Sequence, residues 1–162
     1  MGLFYKALTK VLPHVVITTN GKPYLTRFFL TGKPTYEEGE GGRLMLHYFW
    51  TSDRDRALHN HPAAGISLIL KGGYYEERRT QMSDGTFTPS RLKVCKPGSI
   101  NKLGLADFHC ATLLDERKGA WTLFYFSKRV RDWGFLTRED NKFTPWREFL
   151  HGTEDINYRE TI

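Results

Sequence analysis

The sequence predicts an all-β protein, a barrel or sandwich of short antiparallel strands. Strand-length apolar or alternating runs recur along the middle of the chain, separated by turn signals such as Asn20-Gly21, Gly72-Gly73, Asp84-Gly85 and Pro97-Gly98. Apolar residues at helical spacing are confined to the two ends. Eleven Phe, eight Tyr and four Trp supply core material for a chain whose mean hydropathy is only −0.50.

The elements follow in order. Leu3, Phe4, Ala7, Leu8, Val11 and Leu12 repeat at helical spacing and stop at Pro13, which predicts a short opening helix over 2–12. His14 to Thr19 reads as a strand, turned by Asn20-Gly21 into a partner over Pro23 to Leu30. Thr31 to Gly42 has no apolar rhythm and is a loop. Arg43 to Trp50 is the next strand, and Thr51 to Arg56 a charged turn. A strand opening at His59-Asn60-His61 runs to Gly72-Gly73 and returns as Tyr74 to Thr80. Short strands are expected near Phe87 and over Leu92 to Val94. Phe108 to Leu114 and Ala120 to Phe126 form a hairpin across Asp115 to Gly119. Trp133 to Leu136 follows. Thr144 as N-cap and Pro145 at the first helical position predict a closing helix, and the polar tail from His151 is expected to dock loosely or fray.

At 162 residues the chain is expected to form one domain, with the barrel over about 14–136 and the helix and tail over 144–162. That length buries roughly 70% of the unfolded surface. No segment reaches the ~18 apolar residues of a membrane span. Met1 to Lys6 lacks a secretory apolar region, and Lys6 stands where an acylation signal needs Ser or Thr, so a cytoplasmic protein without membrane association is expected. Cys95 and Cys110 do not make a disulfide framework and read as reduced, partly buried thiols. The net charge of +6 is scattered among acids, as in Glu76-Glu77-Arg78-Arg79, so it describes a mixed surface before a nucleic-acid interface.

His59-Asn60-His61 is the most informative motif. In a strand, residues two apart point the same way, and paired imidazoles are a common hold on a transition metal. An isolated His-x-His also occurs as two hydrogen-bonded histidines at a strand entrance, so its context decides. The context is a strand ending in Gly72-Gly73, then Pro97-Gly98, then His109 in a later strand.

These residues resemble the motif frame of the cupin superfamily, a double-stranded β-helix of the jelly-roll class, over about residues 44 to 126. The flanking Arg131 to Phe135 and Thr144-Pro145-Trp146 are similar to small cupin-like proteins of phage and prophage genomes. The resemblance implies that His59, His61 and His109 meet inside the barrel on a metal. Gly65 and Ile66 stand where the usual first motif has Glu, and Leu113 stands where the second has Asn. What remains is a three-histidine site, such as some cupin thiol dioxygenases use. Three neutral imidazoles suit a divalent transition metal, with Fe(II) favoured over Zn, Ni or Mn. The implied function is non-haem iron oxygenation or dioxygenation of a small molecule. The alternatives are metal-dependent isomerase or lyase chemistry, and a non-enzymatic binding or assembly cupin such as a phage accessory protein. Cupins often pair through sheet edges, which makes a homodimer a further expectation.

His47 is the candidate fourth ligand, or a group that hydrogen-bonds to a ligand and orients it, since alternation places it on one face with Met45 and Phe49. A hydrogen-bonded core histidine is the equal alternative. Arg56, Glu77 and Arg79 are candidate substrate contacts, an inward-facing Arg being suited to a carboxylate or phosphate. Asn60 should point away from its neighbours, and Cys110 should face away from His109 as core filler.

Overall fold

The computed structural model describes residues 2–19, 21–32, 42–53, 57–151 and 158–161. Among them the chain runs α1 (Leu3–Val11), β1 (His14–Thr19), β2 (Lys22–Phe29), β3 (Arg43–Phe49), β4 (Ala57–His59), β5 (Gly65–Lys71), β6 (Tyr74–Thr80) and β7 (Arg91–Cys95). It continues with β8 (Ile100–Leu103), β9 (Asp107–Leu113), β10 (Ala120–Phe126), β11 (Gly134–Thr137), β12 (Phe143–Pro145), α2 (Trp146–His151) and β13 (Tyr158–Thr161). Two antiparallel sheets result, one ordered β13-β1-β2-β3-β10-β5-β8 and the other β12-β11-β4-β9-β6-β7. The strand pattern predicts a barrel or sandwich, and the arrangement is the jelly-roll barrel that the resemblance implies.

Alternation sets what lies between the sheets. On the large sheet Leu25 is opposite Phe49, and Phe29 is opposite Met45, which is opposite Phe124. Val15, Ile17 and Leu103 join them in the main core. Ile69, Tyr74, Cys95, Ala111, Leu113 and Ala120 close a second cluster. The outer face of the large sheet is covered by α1. Tyr5 of that helix packs on Phe28, Trp50 and Trp121 at 5.1–6.3 Å between ring centres, and its hydroxyl lies 3.0 Å from Thr26 Oγ1. Tyr48 and Trp121 therefore belong to an outer aromatic layer, while Phe124 belongs to the interior.

Gly72 and Gly73 make the turn between the sheets possible. Both have positive φ, 75° and 139°, and a Cβ on Gly72 would lie 2.2 Å from the Gly119 carbonyl oxygen. A side chain fits neither the backbone conformation nor the space.

Four expectations are corrected. His59 and His61 do not share the strand that ends at Gly72. His59 ends β4 in the small sheet, and the chain then crosses at Pro62 to Ala64 into β5 of the large sheet. Pro62 suits this corner because it has no N–H to leave unpaired, and its carbonyl accepts from Val130 N at 3.0 Å. Thr144 and Pro145 do not cap the last helix but form β12, paired with Phe135 and Gly134. Proline is tolerated there because β12 is an edge strand. Residues 158–161 of the tail neither fray nor dock only loosely; they pair in register with β1 as β13. The strand near Phe87 is reduced to an isolated bridge with Gln81. One strand, β8, was not anticipated: Ile100 to Leu103 fills the long interval between Gly98 and His109 and pairs with β5.

Candidate metal centre

β4 and β9 are adjacent in the small sheet, and His59 is directly opposite His109. His61, two residues beyond β4, swings in beside them at the corner fixed by Pro62. The ring centres are 4.6 Å apart for His59 and His109, 4.9 Å for His61 and His109, and 5.2 Å for His59 and His61. One ring nitrogen of each lies within 4.8 Å of the others, and Nε2 of His61 is 2.7 Å from Nε2 of His109. Three imidazoles thus converge on one point inside the barrel, as the resemblance implies.

Two carboxylates stand behind them. Oε1 of Glu76, on β6 next to β9, lies 2.9 Å from His109 Nδ1, though off the axis of the ring N–H. Glu76 is 1% exposed, and its oxygens accept from Arg78 Nη2 at 2.9 Å. Burial pushes the Glu76 carboxyl up, but His109, Asn101 and Arg78 outweigh it and hold the pKa at about 2. Asp53 Oδ2 lies 3.9 Å from His59 Nδ1 and is fixed by Ala111 N at 2.6 Å, while Tyr24 donates to Oδ1. Such partners set the ring orientation of a ligating histidine and raise its basicity.

Burial lowers the His59 pKa to about 4 against the opposing pull of Asp53. It drives His61 well below the usual histidine value, helped by His109 and His59. His59 and His61 are therefore neutral near pH 7, the form that binds metals. The donor set fits a divalent transition metal: imidazoles converging in a buried site, backed by fixed carboxylates.

The three histidines line a cavity of about 390 Å³ that is otherwise mainly apolar, with Met45, Phe49, Phe124 and Phe126 among its walls. Its lining also includes Trp133 and Trp146, stacked at 5.7 Å, and the exposed Arg147.

Other sequence candidates fall elsewhere. His47 is inward and 5% exposed, but lies outside the three-histidine group; it stands on the large sheet, stacked on Phe124 at 4.8 Å. Glu77 and Arg79 have the opposite parity to Glu76 and face away from the cavity. Glu77 accepts from Arg138 at 2.9 Å and from Ser90, while Arg79 donates to Thr88 O and lies over the Phe87 ring. Arg56 lies outside the described residues. Asn60 turns away, as expected, and its Oδ1 accepts from Gly134 N at 2.8 Å. Cys95 and Cys110 are free and buried, and burial, with Asp53, pushes the Cys110 thiol up to about 12. Cys110 is core filler in the cluster of Leu58, Phe108 and Leu136. The two backing carboxylates escaped the sequence reading. Tyr74 and Glu76 share strand parity, which was the available signal for Glu76; Asp53 lies outside the named strands, so alternation could not place it.

No family model matches the sequence, and no curated protein matches it significantly. Solved structures do. A crystal structure of FeII HppE superposes with a TM-score of 0.51 at 11% identity, covering 72% of this chain and 57% of the other. Streptomyces albus HEPD, with 2-hydroxyethylphosphonate and Fe(II) bound, gives 0.52 at 11% identity, covering 75% of this chain and 25% of that one. An RmlC-like cupin from Ralstonia eutropha gives 0.48 at 12%, covering 86% and 78%. The chain thus spans little more than half of the HppE chain and a quarter of HEPD. Among the described residues no helix is long and apolar enough to cross a membrane. The two packed antiparallel sheets, with three histidines gathered between them, share the fold of the HppE and HEPD structures.

Proposed function

We propose that the chain binds one Fe(II) ion through His59, His61 and His109 and oxidises a small organic molecule with dioxygen. The observation that carries this is the convergence of three buried imidazoles, with carboxylates behind His59 and His109, onto a roomy apolar cavity. The Fe(II) of the HppE and HEPD structures supports iron over other divalent metals. Three protein ligands leave positions for other molecules, and iron held there would let dioxygen meet a bound substrate.

The chain's own residues supply the rest. Asp53 and Glu76 hold His59 and His109 in place and keep their ring nitrogens turned inward. Phe49, Phe124 and Phe126 exclude water and pack the apolar part of a substrate. Trp133 and Trp146 line the approach. The test is oxygen uptake by protein reconstituted anaerobically with Fe(II), screened against small organic acids, alcohols and thiols. Substrate-dependent uptake that disappears in His109→Ala supports the reading. Full iron loading with no substrate-dependent uptake across the screen counts against oxygenation.

A further inference from the structure

Three strands of the large sheet present a polar row where the rows on either side are apolar. Arg27 on β2 is opposite His47 on β3, which is opposite Thr122 on β10. The neighbouring inward rows are Leu25, Phe49 and Ala120 on one side, and Phe29, Met45 and Phe124 on the other. His47 is 5% exposed and Thr122 is 1% exposed, yet His47 Nε2 and Thr122 Oγ1 have no hydrogen-bond partner among the described residues.

Packing does not account for this. An apolar side chain at either position would fill the same space without stranding a polar atom, and a stranded buried donor is costly. All three residues line the cavity that holds His59, His61 and His109. Arg27 adds its charge to burial in lowering the pKa of His47, His59 and His61, so its field covers this part of the chamber. The row thus combines a guanidinium charge, a neutral imidazole and a hydroxyl on the wall formed by the large sheet, with the histidine centre on the small sheet.

We propose that Arg27, His47 and Thr122 bind the oxyanion head, a carboxylate or phosphonate, of a small molecule whose apolar part packs on Phe49, Phe124 and Phe126. This rests on reading the cavity as the substrate chamber of the metal centre. Arg27 supplies charge, while Thr122 Oγ1–H and a proton on His47 Nε2 donate to the anionic oxygens. The row holds the head group on the large-sheet wall and turns the rest of the molecule toward the three histidines.

The test is calorimetric titration at about neutral pH with 3-phenylpropionate, phenylphosphonate and the uncharged 3-phenylpropanamide. It is run on metal-free and on zinc-loaded protein, with metal content measured on each sample. In the metal-free protein at least one acid should bind roughly tenfold or more tighter than the amide. Thr122→Val should weaken that acid by about fivefold, and Arg27→Met by about tenfold or more. Thr122→Val should leave the melting temperature unchanged or raised, since it removes a stranded hydroxyl. Equal binding of acids and amide, including no binding of either, overturns the proposal. So does unchanged acid affinity in both variants, or a marked fall in melting temperature for Thr122→Val, which would make the hydroxyl structural. A protein that takes up no metal yet still prefers the acid keeps the row and loses the metal reading.

Discussion

Glu76 Oε1 sits 2.9 Å from His109 Nδ1, on the side of the ring away from His61. The same carboxylate is gripped by Arg78 Nη2, itself 3.0 Å from Asn101 Oδ1, so it cannot drift from the histidine. A buried acid held ionised behind a metal-directed imidazole raises the basicity of that imidazole. Glu76→Gln keeps the shape and removes the charge. Metal affinity, read by competition with a chelator, should fall about 10–100-fold, with the fold intact by circular dichroism. Unchanged affinity would show that Glu76 serves only Arg78.

Acid should destabilise the metal-free protein in two steps. His59 has a folded pKa of about 4 against 6.5 when unfolded. Its contribution is therefore fully present above pH 6.5 and is lost as pH falls toward about 4, because only the unfolded chain takes up the proton. The shift corresponds to about 3 kcal/mol as an order of magnitude. Glu76, at about 2 against 4.5, adds a second loss between those values. Thermal unfolding of metal-free protein should show a midpoint that is flat from neutral pH upward and drops from pH 6.5 to 4. His59→Phe should make the first part of that drop shallower, the rest coming from His61 and His47, whose pKa values burial also lowers. A midpoint independent of pH over this interval would contradict the burial argument.

The three histidines are legible in the sequence because the motif frame that holds them resembles a known one, although β9 itself, buried from Phe108 to Ala111, shows no clean alternation around His109. Their neighbours were harder to read. Pro62 turns the chain one residue after His61, so a single strand through both histidines was the wrong local picture although the side chains do meet. Glu77 and Arg79 are the candidate contacts of this stretch, with nothing in the sequence to turn them inward, whereas the parity set by Tyr74 places Glu76 inward. Whether Glu76 meets His109 depends on the β6–β9 register, which links positions far apart in the chain and leaves no local trace. The tail was misread for a similar reason: β13 gains its partner from β1 at the other end of the chain, and nothing in its own polarity announces that.

The turn at Gly72-Gly73 gives a sharp stability test. A Cβ on Gly73 would stand 2.5 Å from the Cys95 carbonyl oxygen, at a φ of 139°. Gly73→Ala should cost at least about 1–3 kcal/mol from backbone conformation alone, and more from the clash. Chemical denaturation measures this, and a loss below about half a kcal/mol would show that β5 and β6 can turn another way.

Leu58 and Leu136 are both 0% exposed and, with Phe108 and Cys110, seal the outer face of the small sheet behind the histidines. Leu136→Ala should cost about 2–5 kcal/mol. Because β11 pairs directly with β4, the loss should also loosen His59. Equilibrium denaturation checks the first effect, and metal release rates the second. Full stability in the variant would mean that this cluster is not a sealed core.

The central claim is that His59, His61 and His109 form one metal site. Its most direct measurement is elemental analysis of protein made without a histidine tag, beside His109→Ala. The account expects about one equivalent of transition metal per chain, iron after anaerobic reconstitution, and loss of most of it in the variant. Less than about a tenth of an equivalent of any transition metal in the unmodified protein, even after reconstitution, would contradict it.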